Sequence, residues 1–226
     1  MIHDPKGDRS MTDDQLRGDA EDELRWEPRV DTQAIAVSAA AGIVTLRGTV
    51  GSFREKRDAE KAVKRVYGTM SVENKLEVRL LNDDRRNDAD LRGAVLQALI
   101  LDELVPSTVD VKADDGNVLL TGIAKHQYER DEAEYVAGNV KGVLWVENDI
   151  ALTVATPDPE GVQHAIKKAF KRDAKLDAED VNVESTNGTV RLSGSVRSWA
   201  EHDAALSAAW AAPGVKDVDD RIEVAY

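Results

Sequence analysis

The sequence predicts an α+β protein made of three tandem domains, each a small αββαβ unit with a mixed three-stranded sheet and two helices on one face. Two observations carry this prediction. A G-x-V-x-L-x-G segment occurs three times, and another glycine follows 26 positions after the first glycine of each copy. The copies begin at Gly42, Gly116 and Gly188, and the later glycines are Gly68, Gly142 and Gly214. Offsets of 74 and 72 residues between copies give each unit enough chain for a small core of its own.

The first element of each unit is predicted to be a helix. Apolar residues recur there at positions i, i+4 and i+8, a spacing that forms one stripe along a helix. The stripes are Leu16, Ala20 and Leu24, then Leu91, Val95 and Leu99, and finally Val162, Ile166 and Phe170. A strand follows each helix, and its alternation of apolar and polar residues is clearest at 109–111 and 181–183.

A hairpin is predicted next, because a turn dipeptide precedes each return strand. The dipeptides are Ala41-Gly42, Asp115-Gly116 and Asn187-Gly188. Asp-Gly and Asn-Gly favour two-residue hairpin turns, in which both central residues adopt positive φ. The G-x-V-x-L-x-G segment is therefore the return strand, and its valine and leucine are expected to face the core.

A second helix and a third strand complete each unit in the prediction. Ser52 and Ser198, each followed three residues later by a glutamate, are typical of a capping box at a helix start. The middle copy keeps the glutamate but has His126 at the cap. We assign Glu55, Glu129 and Glu201 to capping rather than to acid–base chemistry or ion binding. The later glycines are expected to be left-handed C-caps of the second helices.

These elements place the domain boundaries. We expect a disordered segment over residues 1–12, followed by domains over 13–81, 88–154 and 159–226. The intervening segments support the boundaries, because one is charged and without apolar residues and the other contains two prolines.

Composition limits the possible functions. The net charge of −13 argues against non-specific nucleic-acid binding, which depends on clustered cations. The chain has no cysteine, which excludes disulfides, thiolate metal ligands and cysteine nucleophiles. No stretch reaches the roughly 20 apolar residues of a membrane span, and the first residues lack the apolar core of a signal peptide. We therefore expect a cytoplasmic protein, or a periplasmic one if the true N-terminus is missing.

The unit resembles the BON (bacterial OsmY and nodulation) domain. The resemblance rests on the glycine-bounded return strand, the late glycine and a G-V-x-x-V-x-N-x-[LI] ending, which is clearest over residues 142–150. The first copy keeps Asn74 in this ending, whereas the third has Asp220 at the corresponding position. Three such copies cover nearly the whole chain.

The resemblance implies a non-enzymatic protein without a cofactor, associated with osmotic or envelope stress. It also implies binding to phospholipid surfaces or to protein partners, and the alternative is a cytosolic sensor of a small ligand or a cation such as potassium. The residues that the family shares are structural glycines and core apolar residues, so no catalytic residue is carried over to this chain.

Two basic helix faces are the candidate binding sites for an anionic lipid surface or a protein partner. Cations recur there at a spacing of three to four residues, which places them together on a helix. The first face comprises Arg54, Arg57, Lys61, Lys64 and Arg65. The second comprises Lys167, Lys168, Lys171, Arg172 and Lys175.

Other chemistry-bearing residues favour structural interpretations. The four histidines, at positions 3, 126, 164 and 202, show no metal-binding spacing, and no metal site is predicted. Residues 114–117 lack the alternating ligands of a calcium loop and are read as a hairpin turn. The four tryptophans, at positions 26, 145, 199 and 210, are predicted to pack between the units.

Overall fold

The computed structural model describes residues 11–80, 85–153, 159–170, 172, 181–212 and 214–225. Three successive units share the predicted order of helix, two strands, helix and strand. Domain 1 contains α1 (Asp13–Trp26), β1 (Ile35–Ala40), β2 (Ile43–Val50), α2 (Phe53–Lys64) and β3 (Ser71–Val78). Domain 2 contains α3 (Asp88–Leu101), β4 (Asp110–Asp114), β5 (Asn117–Ala124), α4 (Gln127–Gly138) and β6 (Trp145–Leu152). Domain 3 contains α5 (Pro159–Phe170), β7 (Val181–Thr186), β8 (Thr189–Val196), α6 (Trp199–Trp210) and β9 (Asp217–Val224).

Each domain has one mixed three-stranded sheet, which confirms the predicted fold class. The strand orders are β1-β2-β3, β4-β5-β6 and β7-β8-β9. The first two strands of each sheet are antiparallel, and the third lies parallel to the second after the chain crosses over through the second helix. The hairpin turns have positive φ at both central residues, as at Ala41 (49°) and Gly42 (77°). The turn dipeptides therefore have the conformation that the sequence predicts.

The predicted helix stripes form the core of each domain. Every stripe residue of α1, α3 and α5 is buried, and the valine and leucine of each return strand pack below them. Val44 and Leu46 are 0% exposed, as are Ala59 and Val63 from the buried face of α2. The core thus lies between one face of the sheet and the two helices.

The closing glycine of the return strand is required because another backbone segment lies against it. Gly48 has a φ of +124°, and a Cβ atom added to it would lie 1.9 Å from the carbonyl oxygen of Ala34. Gly122 has a φ of +134°, and its added Cβ would lie 2.4 Å from the carbonyl oxygen of Thr108. A side chain at either position would displace the loop that leads into the first strand.

The later glycines do not cap the second helices, so this expectation is wrong in its position. The helix in domain 1 ends at Lys64, and its C-cap, Arg65, keeps right-handed helical angles. Gly68 does have positive φ (87°) but lies three residues further on, in the turn that leads to β3. Two short backbone hydrogen-bonded turns, from Val66 N to Val63 O and from Thr69 N to Val66 O, separate the helix end from this glycine.

The domains meet through the first residues of their second helices. Phe53, the first residue of α2, lies in the core of domain 2, where its ring meets that of Trp145 edge-on at 5.5 Å. Trp199, the corresponding residue of α6, reaches domain 1 and donates from Nε1 to the carbonyl oxygen of Thr69 at 3.0 Å. These contacts confirm the predicted inter-unit packing for Trp145 and Trp199.

The two contacts follow the same geometric rule. In both, the start of one second helix meets the end of the next, since Phe53 packs on Gly138 at the end of α4 and Trp199 packs on Lys64 at the end of α2. The second helix of domain 1 thus begins against domain 2, and the second helix of domain 3 begins against domain 1. The start of α4, including Gln127, faces the end of α6, including Trp210, across a cleft. The second helices therefore meet in a cycle, from domain 1 to domain 2, from domain 2 across the cleft to domain 3, and from domain 3 to domain 1, and we call this arrangement the ring.

Candidate functional site

The basic face of α2 is only partly within the molecule, because Arg57 and Lys64 are partly buried whereas Arg54, Lys61 and Arg65 are exposed. Arg57 is partly buried at the junction with domain 2, and this burial lowers the pKa of its guanidinium. Its Nη2 donates to Asn139 Oδ1 at 3.1 Å, and the guanidinium lies over the rings of Phe53 and Tyr135 at 5.3 and 5.2 Å. Arg57 thus serves as a link between domains.

The other cations of this face also have partners or line a cleft. Arg54 pairs with Asp58 at 3.7 Å. Lys64 pairs with Glu60 at 3.0 Å and lies 4.6 Å above the ring of Trp199. Arg65 pairs with Glu23 and Glu27, and Lys61 lines the cleft that α4 and α6 form. The structure therefore places four of these residues on α2 and Arg65 at its C-cap, and directs several of them toward other protein groups.

A compact ion-pair group holds the end of α1 against α2. Glu27 is 6% exposed and accepts from Arg29 at 2.8 Å and from Arg65 at 3.2 Å. The hydrogen bond from Arg29 lowers the pKa of Glu27 to about 2, although burial acts in the opposite direction. This carboxylate stays ionised under all physiological conditions and fixes two arginines in place.

The basic face of α5 is different, because its described cations point to solvent. Lys167, Lys168 and Arg172 are exposed, and none of them forms an ion pair with another described residue. The two remaining members of this predicted set, Lys171 and Lys175, lie outside the residues that the structure describes. Of the two predicted basic faces, α5 therefore offers more available charge.

The ends of the first helices carry large apolar side chains whose exposure the sequence did not predict. Trp26 at the end of α1 is 83% exposed, which contradicts its predicted packing between units. Ile100 and Leu101 at the end of α3 are 79% and 78% exposed. The sequence does contain a sign of this exposure. These residues follow Leu24 and Leu99, the last members of the buried stripes, and therefore lie outside those stripes.

The three equivalent glutamates remain at the helix starts, where capping explains them. Ser52 Oγ accepts from the amide of Glu55, and Ser198 Oγ accepts from the amide of Glu201. The glutamates accept from the amides of Gly51 and Arg197, each at 2.8 Å, instead of from the amide of the cap residue itself. In domain 2, Glu129 accepts from both residue 125 and residue 126. The capping assignment is confirmed with this change of partner.

The described part of the chain has neither a metal-binding cluster nor a helix that could span a membrane. No group of three histidine, aspartate or glutamate side chains there could hold a metal ion. His202 instead donates to or accepts from Asp220, with Nε2 and Oδ2 2.8 Å apart. None of the helices in those residues has the length and apolar character that crossing a membrane requires.

The chain is similar to a curated protein in sequence and to two solved structures. Over 121 residues the chain is 36% identical to osmotically-inducible protein Y from Escherichia coli (strain K12), a match that spans 51% of this chain and 60% of that protein. Among solved structures, it is similar to CdsD, a structural protein of the type III secretion system of Chlamydia trachomatis. That match has 15% identity and a TM-score of 0.25, covering 92% of this chain and 90% of the other. The C-terminal domain of CdsD gives 14% identity and a TM-score of 0.27, with 96% and 100% covered.

The family comparison is decisive, because one family model matches three times in tandem. The BON domain model covers residues 12–79, 87–154 and 158–226. The three matches correspond to the three sheet-and-helix units described above. The chain belongs to the BON domain family and contains three successive BON domains.

Proposed function

We propose that this protein is a non-catalytic member of its family that acts in osmotic stress and binds anionic phospholipid surfaces. The proposal rests on the side chains at one equivalent position in the three first helices. Trp26, Leu101 and Arg172 each lie two residues beyond the buried stripe of a first helix, and all three are exposed. The similarity to an osmotically inducible protein suggests the physiological trigger.

The side chains at and around this position suit the boundary between water and lipid. Tryptophan and large aliphatic residues enter the headgroup region, while lysine and arginine beside them attract anionic lipids. Ile100 and Leu101 supply the apolar contact in domain 2, and Lys167, Lys168 and Arg172 supply charge in domain 3. The net charge of the protein, −13, restricts binding to such local patches.

The ring geometry supports joint use of these patches. We propose that the equivalent positions on the three first helices face the same side of the ring, since the second helices of the domains meet in a cycle. A flat membrane could therefore contact all three at once, and the contacts would reinforce each other through a high effective concentration. The basic face of α2 stays a prediction, and we expect it to contribute less because its cations already have protein partners.

Vesicle cosedimentation with the full chain tests this proposal. We expect binding to vesicles rich in phosphatidylglycerol that weakens as salt is raised, and little binding to phosphatidylcholine vesicles. Reversing two charges in Lys167→Glu/Lys168→Glu should remove at least about 2 kcal/mol, or roughly thirtyfold in affinity. The variant Trp26→Ser/Leu101→Ser should weaken binding at all salt concentrations, because it removes apolar contact.

The control variant is Lys125→Glu/Lys216→Glu. It makes the same change in total charge at two exposed lysines outside the first helices. This variant should lose much less affinity than Lys167→Glu/Lys168→Glu. Equal losses in the two charge variants, or equal binding to both lipids, would show that no specific patch binds the membrane.

A further inference from the structure

One of the three domain junctions lacks the aromatic side chain that fills the other two. Phe53 and Trp199 fill their junctions, whereas the corresponding first residue of α4 is Gln127. An open cleft of about 680 Å³ remains between the start of α4 and the end of α6. Two of the three domain junctions are therefore filled by an aromatic side chain, and the third is open.

The apolar side of this cleft includes Trp210, whose equivalents in the other two domains contact the aromatic side chains of Phe53 and Trp199. Trp210, the last residue of α6, corresponds to Gly138 of α4 and Lys64 of α2, on which Phe53 and Trp199 pack. Leu206, one turn earlier on α6, extends this apolar side. The opposite side carries Tyr128, which is more than half exposed. An entering aromatic ring would thus find contacts of the type that both sealed junctions provide.

Two carboxylates and an amide oxygen give the cleft acceptors for a ligand. Gln127 Nε2 donates to Asp131 Oδ1 at 2.7 Å, which leaves the buried Oε1 atom of Gln127 without a donor among the described residues. Asp131 lines the cleft, where partial desolvation raises the pKa of its carboxyl group although the residue remains exposed. Asp203 adds a second carboxylate, and Lys61 is the one lysine or arginine among the described residues that line the cleft. The cleft therefore favours a ligand that brings donors and positive charge.

We propose that this cleft is a docking site for a partner protein segment in which an aromatic residue is followed by a lysine or arginine. The first junction shows how such a segment binds, since Phe53 fills the gap and Arg57, one helical turn later, reaches Tyr135 and Asn139 across the interface. In the open cleft the positions of Tyr135 and Asn139 are occupied by Ser207 and Ala211. The aromatic ring would pack on Trp210 as in the first junction, whereas the cation would meet Asp131 and Asp203 instead. This inference is independent of membrane binding.

Blocked helical peptides with tryptophan and a charged residue four positions apart test the proposal on the full chain. Binding is measured by fluorescence anisotropy of a labelled peptide and by chemical-shift changes of the Trp210 indole. The peptide with arginine should bind at least tenfold more tightly than a peptide with glutamate in its place, and than a peptide with alanine in place of tryptophan. Equal binding of the three peptides would overturn the proposal.

Filling the cleft provides the matched mutational test. Gln127→Trp should place an indole where the other junctions have one, reduce peptide affinity at least tenfold and leave the thermal midpoint equal or higher. Gln97→Trp adds the same side chain at an exposed position of α3 and should keep parental affinity. Unchanged affinity in Gln127→Trp would exclude the cleft as the binding site.

A second variant separates charge recognition from packing. Asp131→Asn retains the size of the side chain and should reduce the preference for the arginine peptide over the glutamate peptide by at least threefold. An unchanged preference would contradict the assigned role of the carboxylates. Self-association of the parental chain that disappears in Gln127→Trp would identify a second copy as the occupant and would equally overturn the proposal.

Discussion

In the third domain, a hydrogen bond that the other two domains make with a neutral asparagine is replaced by one between two ionisable side chains. Asn74 and Asn148 each donate from Nδ2, at 2.9 Å, to a backbone carbonyl of the second helix of their own domain. Asp220 occupies the same position in β9 but cannot donate when it is ionised. Its carboxylate instead meets His202, which stands where the other domains have Lys56 and Arg130. The domain thus keeps the helix–strand connection by changing both partners.

The His202–Asp220 pair makes the third domain sensitive to pH. Burial of His202 opposes protonation, but the carboxylates of Asp203 and Asp220 outweigh it and raise the pKa of the imidazole. A raised pKa in the folded state stabilises the domain fully below the unfolded value of about 6.5. This contribution is lost as the pH rises through the folded pKa. We expect NMR titration to give His202 a pKa above 6.5.

Asp220→Asn is the matched variant, because it restores the residue of the other two domains. It should lower the pKa of His202 and flatten the dependence of stability on pH between 6 and 8.5, as followed by urea unfolding. A His202 pKa at or below 6.5 in the parental chain would refute this account.

At the residue scale, the sequence predicted local roles well and exposure poorly. The capping serines, the turn residues and the stripe members act as expected, because each depends on neighbours within a few positions. The exposed side chains of Trp26 and Leu101 were missed, because large apolar residues are expected inside and their exposure depends on where the helix ends. The partnership of His202 with Asp220 was missed because it joins different elements.

At the element scale, the return strand depends on its closing glycine. Gly122→Ala would force a side chain into positive φ and against the carbonyl oxygen of Thr108. We expect a loss of at least about 1–3 kcal/mol from backbone strain, measured by chemical denaturation. Gly93→Ala in α3 is the control in the same domain, because nothing lies within 4 Å of its added Cβ. This control should stabilise the protein by up to about 1 kcal/mol, and a comparable loss in both variants would contradict the close-approach argument.

The second helices show where pattern reading stops at this scale. The cations of α2 predict a solvent-facing surface, since charged residues at this spacing usually lie opposite the buried stripe. The structure uses Arg57 and Lys64 in contacts with other domains. Those contacts join Arg57 to Asn139, 82 positions away, and Lys64 to Trp199, 135 positions away (199−64). A repeat sequence defines each domain but contains no periodic signal for how the domains meet.

At the scale of the whole molecule, the aromatic side chains of Phe53 and Trp199 hold the three domains together. Phe53→Ala should release domain 1 from domain 2, because truncation of a buried phenylalanine costs about 3–5 kcal/mol. Trp199→Ala should release domain 3 from domain 1 in the same way. We expect a larger radius of gyration in X-ray scattering and faster proteolysis between domains for both variants. Trp26→Ala removes an exposed ring and should change neither measurement, and an unchanged radius in all three variants would argue against the ring.

Both filled junctions involve domain 1, which gives Phe53 to domain 2 and receives Trp199 from domain 3. Domains 2 and 3 face each other only across the open cleft. Removing domain 1 would therefore expose both aromatic side chains to water, whereas removing domain 2 or domain 3 would expose one.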